Sequence, residues 1–545
     1  MQRVLFAFFL LFCVTVSAQQ NKSPRLVVGI VVDQMCYEYL YRYADKFGEG
    51  GFKRLMQEGT NCRNANYNYI PTFTGPGHAS IYTGTTPSNH GIVANDWYDR
   101  STNSEINCVA DSGVSTVGSS SLYGKCSPVN LKTNTITDQL KVTYNSAKVV
   151  SVSIKNRGAI LPGGHLSDGS YWFDYSSGGM ITSSYFKKEL PSWVNAFNDL
   201  QYPKKSCNEV WNTYYPIGQY SESGPDDTPY EHLLPGKMAP TFPYDLKTMT
   251  GGMANYDLFT TTPYANTYLT DFALAAIQHE QLGADAQADM LCISYSTPDI
   301  AGHAFGPQSI EIEDMYIRLD LEIERLLKEL ETRVGKREFV LFLTADHAVV
   351  PVPQFLIDHK LPGGYFFLGK HMSELKQYSI ERYGVDLIEE EANLNIYLNR
   401  ALIEEQKLSL EEVATQFAQV IQQWEGVKRV FTSTQLYQSA ADEEWMDMVR
   451  KGYHHSESGD IIFMLEPGYL PKSADSEQAR KGTSHGSAYS YDTHVPLLWY
   501  GANVPAQDLY RNVAITDITA TLTHILNLQN LGALTGEPIL ELLKK

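Results

Sequence analysis

At 545 residues, 43% hydrophobic and 19% charged, the chain can build a sizeable core, which excludes disordered, collagenous and coiled-coil classes. A net charge of −19 with no run of Lys or Arg argues against a general nucleic-acid-binding surface. The acidity still allows an anionic substrate, because a local metal site inverts the field around it.

The first residues read as an export signal. Arg3 precedes an apolar stretch, Val4 to Val16, interrupted only by Thr15, and Val16-Ser17-Ala18 forms a small-residue cleavage site. The stretch is too short to span a bilayer, and no later segment is apolar enough to do so. The expected product is exported, periplasmic or secreted after cleavage near Ala18, and nothing in its sequence demands an oligomer. Six cysteines would remain: Cys36, Cys62, Cys108, Cys126, Cys207 and Cys292. Cys108 and Cys126 flank one Gly/Ser-rich stretch and are the expected disulfide pair. No C-x-x-C occurs, which argues against a thiolate zinc site.

Apolar, β-branched runs predict buried strands at Arg25–Val32, Lys148–Ile154, Ala288–Ser294, Glu338–Thr344 and Val495–Tyr500. Between them lie helical patterns, clearest at Glu311–Arg333, where Met315, Leu319, Leu326 and Leu330 form one stripe. This alternation predicts an α/β fold with a doubly wound, mostly parallel central sheet. Residues 166–260, rich in Gly, Ser, Tyr and Pro, read as surface insertions. Residues 365–480 read as a small α/β cap, with strands Leu394–Leu398 and Val427–Thr432 and a helix Ser409–Trp424. The expected organisation is a signal over 1–18 and one catalytic domain over 19–545 carrying both insertions.

Open α/β sheets bind ligands beyond the carboxyl ends of their strands. Asp33 follows the first strand, Lys155-Asn156-Arg157 the second, Asp299-x-x-x-His303 the third and Asp346-His347 the fourth. A lone Asp there is ordinarily a turn or cap residue. Three such ends, two with a nearby His, suit zinc, or less specifically manganese or iron. In Thr72-Phe73-Thr74-Gly75-Pro76-Gly77-His78, Pro76 suits a first helical turn and the glycines allow close backbone approach. A helix start there could place Thr74 against an anion, although a plain N-cap explains the segment alone equally well.

Asp33, Thr74, Thr83-Gly84-Thr85-Thr86-Pro87-Ser88-Asn89-His90-Gly91-Ile92 with Asn95, Asp299-x-x-x-His303, Asp346-His347 and His485-Gly486 together resemble the alkaline phosphatase superfamily. The resemblance extends to Gly536-Glu537-Pro538-Ile539. It is closest to the PafA-type, phosphate-irrepressible alkaline phosphatases and next to the nucleotide pyrophosphatase/phosphodiesterases. It implies an alkaline phosphatase hydrolysing phosphate monoesters through a phospho-threonine at Thr74, with small phosphate esters as partners. It further implies two zinc ions, one held by Asp299, His303 and His485, the other by Asp33, Asp346 and His347 with Thr74 bridging toward it. Asn95 would donate to a phosphate oxygen, and Lys155 and Arg157 match the phosphoryl-contacting pair of the PafA-type enzymes, which the diesterases lack.

The charges agree with a monoester. Two Zn²⁺ ions with three Asp carboxylates leave about +1, suited to a monoanionic diester; Lys155 and Arg157 raise this to about +3, better suited to a dianion. The alternative activity is a nucleotide pyrophosphatase/phosphodiesterase. A non-catalytic exported anion-binding protein would not need six metal ligands.

Four features read as decoys. Gly482-Thr483-Ser484-His485-Gly486 fits G-x-S-x-G but lacks the preceding apolar strand that a nucleophile elbow needs. Cys126-Ser127-Pro128-Val129-Asn130 lacks the Arg of a sulfatase motif. His454-His455 reads as surface loop, and His78 as packing support for Thr74.

Overall fold

The structure is a computed structural model that describes residues 23–438 and 445–543. The expected export signal lies outside the described residues.

A ten-stranded sheet forms the centre of the molecule. Its middle is five parallel neighbours in the order Phe339–Thr344, Leu26–Val32, Asp289–Tyr295, Val149–Ser153 and Gly169–Asp174. Leu26, Val27, Val28, Ile30, Val31 and Val32 have no exposed surface, as expected where helices cover both faces of a parallel sheet. Each such aliphatic side chain contributes roughly 1.5–3 kcal/mol by leaving water. The long helix spans Ile310–Arg333, with Met315, Leu319, Leu326 and Leu330 buried along its predicted stripe.

Two readings change. The strand Leu497–Gly501 runs antiparallel to Phe339–Thr344, because hydrophobic runs carry no direction. Within the region read as surface insertion, Gly169–Asp174 and Gly179–Ser183 are fully buried strands of the central sheet. Tyr171, Trp172 and Phe173 are good strand formers and pack into the core.

Four strands of the cap build a separate antiparallel sheet, in the order Ile388–Ala392, Asn395–Leu398, Ile461–Leu465 and Val427–Thr432. The helix Leu410–Ile421 covers it, with Ser409 accepting a capping bond from Glu412 N, and the two share a hydrophobic cluster including Ile396, Phe417 and Phe463. Buried Asp460 ties this unit to the Asp96–Asn107 hairpin by accepting Arg100 Nη2 at 2.8 Å, and accepts Arg400 Nη2 of the cap itself at 2.6 Å.

The expected disulfide does not form. All six cysteines in the described residues are free and buried. Cys126 Sγ faces Tyr123 O and Asn156 Nδ2, each at 3.4 Å, whereas Cys108 packs against Gly75 on the Thr74 helix.

A second buried pair makes a pH-dependent contribution to stability. Tyr244 donates to Glu311 Oε1 at 2.5 Å and Thr228 to Glu231 Oε1 at 3.3 Å, while the other oxygen of each glutamate is buried without a partner. Burial raises both carboxyl pKa values, and for Glu231 the charge of Glu311 adds to it. The folded chain therefore keeps these protons to higher pH than the unfolded chain, and the associated stability is present in acid and lost as pH rises through neutral into the alkaline range. Glu231→Gln should raise Tm at pH 9 and leave it nearly unchanged at pH 5. An equal shift at both pH values in thermal unfolding would contradict this account.

Candidate metal centre and nucleophile

The four predicted strand ends are contiguous in the sheet, so their side chains converge. Register pairs Val32 with Tyr295, Val31 with Thr344 and Ser294 with Ser153, which brings Asp33, the segment after Tyr295, Ala345-Asp346-His347 and Ile154-Lys155 to one edge. The helix Thr297–Phe305 places Asp299 in its first turn and His303 one turn later, with His303 Nε2 3.2 Å from Asp299 Oδ1. This is the i,i+4 spacing that puts two side chains on one face.

Thr74 is the first residue of the helix Thr74–Thr83, and the N-cap position belongs to Phe73. The threonine hydroxyl is therefore not spent on capping; its Oγ1 lies 3.5 Å from His347 Nε2. A Cβ on Gly77 would run into the carbonyl of Asp346, so the helix can lie against that ligand only with glycine there. His78 donates from one ring nitrogen and accepts at the other, bonding Thr74 O and Ser294 Oγ at 2.9 Å each. It packs under Thr74, as read from the sequence, and burial lowers its pKa to about 3. Asn95 Oδ1 accepts Gly75 N at 2.7 Å, which fixes its amide beside Thr74.

The segment around His90 is structural. Gly84 ends the nucleophile helix with φ 67°, and its carbonyl accepts Thr535 N and Gly536 N. Thus both the Thr83–Ile92 motif and the C-terminal Gly536-Glu537 serve to terminate and clamp that helix.

Each predicted histidine is oriented by a backbone carbonyl. His303 Nδ1 donates to Thr483 O at 2.8 Å, His347 Nδ1 to Ala348 O at 3.0 Å and His485 Nδ1 to Thr72 O at 2.8 Å. This leaves the three Nε2 lone pairs facing carboxylates, the arrangement of imidazole metal ligands with their outer partners in place. Among the described residues two groups bring ligand atoms within 4.8 Å of one another: Asp299, His347 and His485, and Asp33, Asp346 and His347. His347 is common to both. His303 contacts Asp299 but stands outside the first group, partly exposed.

These donors fit divalent cations. Asp33 Oδ1 and Asp346 Oδ2 are buried without hydrogen-bond partners. Burial, then the neighbouring Asp299 and Asp346 charges, push Asp33 well above the usual carboxylate range, and burial raises Asp346 to about 6. Burial works against the charge on Asp299 too, but His303 and Lys155 hold it well below that range. Burial lowers His347 to about 4 and, with His347 beside it, His485 well below the imidazole range, so both rings are neutral at pH 7, the form that can ligate a metal. Three crowded carboxylates and neutral imidazoles call for positive charge.

Lys155 supplies part of it. Its Nζ donates to Asp33 Oδ2 at 2.6 Å and also to Asp299 Oδ2, so the ammonium bridges carboxylates of the two ligand groups. Lys155, expected at the phosphoryl group, is thus held between carboxylate partners in this structure. Arg157 lies in the first turn of the helix Asn156–Gly163, and its Nε is buried without a partner.

Gln34 escaped the sequence reading. Its φ is 67°, its backbone N–H donates to Asp346 Oδ1 at 3.2 Å and its Nε2 to Asp299 Oδ1 at 2.6 Å. It ties two ligand carboxylates together, and its position directly after Asp33 was the available signal. The loop Gly482–Gly486 is confirmed as no elbow: a short turn, Gln478–Arg480, precedes it in place of a strand, and Thr483 exchanges bonds with His303. His454, expected at the surface, is buried with its N–H on Ser458 Oγ at 3.0 Å, while His455 is exposed.

Residues 27–488 match the type I phosphodiesterase / nucleotide pyrophosphatase family. The chain belongs to that family, within the alkaline phosphatase superfamily. It is similar to alkaline phosphatase PafA of Elizabethkingia meningoseptica, with 40% identity over 95% of this chain and 94% of that protein. It is also similar to alkaline phosphatase PhoV of Synechococcus elongatus, with 37% identity over 98% of each. A crystal structure of wild-type PafA superposes with a TM-score of 0.91 at 39% identity, covering 95% of this chain and 99% of that one. The chain is an enzyme of the alkaline phosphatase type.

Proposed function

We propose that the chain is an exported, zinc-dependent phosphatase that converts phosphate monoesters to alcohol and inorganic phosphate, with Thr74 as nucleophile. The observation that carries this reading is an uncommitted threonine hydroxyl beside His347, flanked by two ligand groups and the unpartnered Nε of Arg157. Asp33, Asp346 and His347 would hold one zinc, and Asp299, His303 and His485 the other. When bound, the ions supply Lewis-acid charge for the entering and leaving oxygens of an in-line displacement.

The remaining chemistry falls to the chain itself. Thr74 Oγ forms the bond to phosphorus as the ester oxygen departs, and the alcohol takes a proton. The helix Thr74–Thr83 turns its positive N-terminal end toward the phosphoryl oxygens, while its Gly75 N–H holds Asn95, which offers its amide to one of those oxygens. Arg157 donates to the phosphoryl group from a buried position, where a charged hydrogen bond is strongest. Water then attacks the phospho-threonine, returning the Thr74 hydroxyl and releasing phosphate. Export rests on Arg3, the apolar run and Ala18.

The test compares kcat/KM for matched aryl phosphate monoesters and alkyl aryl diesters, with zinc measured on the same preparation. About two zinc ions per chain and a strong monoester preference are expected. A diester preference would instead favour the phosphodiesterase activity.

A further inference from the structure

Between the four-stranded cap sheet and the core lies a cavity of about 250 Å³. One side is Phe73, covalently next to Thr74, and His485, a member of the Asp299 ligand group. The two rings meet edge-on, with centroids 5.5 Å apart. Aromatic residues of the cap and core also line it, among them Trp97, Tyr397, Phe463 and Tyr489. The cavity thus adjoins the reaction centre rather than being a remote void.

Its chemistry is selective. An apolar cavity of ~150 Å³ is enough to take benzene, so this one has room for an aromatic ring with substituents. Among the described residues, no Lys or Arg lines it. The carboxylates that do are Glu391, Glu466 and Asp492. Glu466 is paired with Lys428 Nζ at 3.4 Å, Asp492 accepts the N–H groups of Gly486 and Ser487, and Glu391 accepts Leu394 N. An organic group bearing another phosphate or carboxylate would meet carboxyl groups and, among the described lining residues, no cation, whereas an uncharged aromatic group would meet ring faces and edges.

We propose that this chamber holds the organic part of the ester, and that the enzyme favours phosphate monoesters of uncharged, aromatic-bearing alcohols over those carrying further anionic groups. The inference rests on the phosphomonoesterase reading above. Phe73 and His485 connect the chamber to the nucleophile, and Ala392, a partly buried cap residue on its wall, offers a place to fill it without touching the ligand groups.

The test uses competitive inhibition of the zinc-loaded enzyme by methylphosphonate, benzylphosphonate and 4-carboxybenzylphosphonate, with inorganic phosphate as reference. Phosphonates avoid the confounding effect of leaving-group reactivity. The unmodified enzyme should bind benzylphosphonate about tenfold tighter than methylphosphonate, an advantage expected from burying one ring. The carboxylate analogue should lose that advantage. Ala392→Trp should abolish the benzyl preference while leaving methyl phosphate turnover and phosphate inhibition unchanged. Equal binding of the first two phosphonates by the unmodified enzyme would overturn the inference and needs no variant that might misfold. So would an undiminished benzyl preference in Ala392→Trp. In either case intact methyl phosphate turnover would leave the phosphatase reading standing; absence of both turnover and phosphate binding would overturn that reading and this inference with it.

Discussion

Thr74→Ala should lower monoester turnover by about four orders of magnitude or more while leaving zinc content close to that of the unmodified protein. The size follows from the role: a nucleophile that forms the covalent intermediate has no partial substitute, and direct attack by water must use a centre shaped for an attached hydroxyl. The retention of metal follows from geometry. The ligand groups are built from Asp33, Asp299, Asp346, His347 and His485, whose orienting contacts come from Thr72, Gln34 and Ala348. Thr74 contributes a hydroxyl near His347, and its backbone carbonyl still receives His78 after the substitution. Metal analysis and kcat/KM on one preparation check both halves. Loss of zinc in parallel with activity would reassign Thr74 from nucleophile to structural ligand.

The double variant Lys155→Ala/Arg157→Ala should reduce monoester kcat/KM by at least about a hundredfold and diester kcat/KM far less. Losing a hydrogen bond to a charged group costs ~1.5–3 kcal/mol, and ~1.4 kcal/mol is tenfold in rate. A monoester dianion presents one more charged oxygen than a diester, and an alkyl group in that place gains nothing from either cation. The two residues differ in how they act. Arg157 has a buried, unpartnered Nε to offer the phosphoryl group directly. Lys155 sits between Asp33 and Asp299, so its removal also leaves two buried carboxylates with less neutralisation. The single variants should therefore separate: Arg157→Ala selectively against monoesters with zinc retained, Lys155→Ala with altered zinc affinity as well. Assays on both ester types with metal analysis decide this, and equal losses on monoester and diester would mean that the pair does not read the second charge.

The site was legible where side chains follow uninterrupted apolar runs. Asp33 directly follows, and Asp346 and His347 follow within three residues, a strand whose burial is written in Val, Leu, Ile and Phe, and parallel pairing of those strands carries them to one edge. The cap strand Val427–Thr432 was readable for a similar reason, with Val, Phe and Thr marking it. What stayed hidden depended on contacts between distant segments. Gln34 acts through a left-handed backbone and two carboxylates more than 260 positions away. The strand Ile388–Ala392 carries three consecutive glutamates, which mask its place in the cap sheet. Gly169–Asp174 was obscured by the Gly/Ser-rich company of its aromatic run, and the direction of Leu497–Gly501 is set by chain path rather than by residue type. Sequence proximity likewise suggested Cys108 with Cys126, but the two thiols face different helices.

The most direct measurement is acid quenching of the zinc-loaded enzyme during turnover of a ³²P-labelled aryl phosphate, followed by peptide mapping of the trapped label. The measurement separates Thr74 from the G-x-S-x-G serine, since both segments adjoin the ligand groups. The account predicts a single labelled peptide with phosphate on Thr74, and no label in Thr74→Ala. Phosphate on Ser484, or label retained in Thr74→Ala, would contradict it.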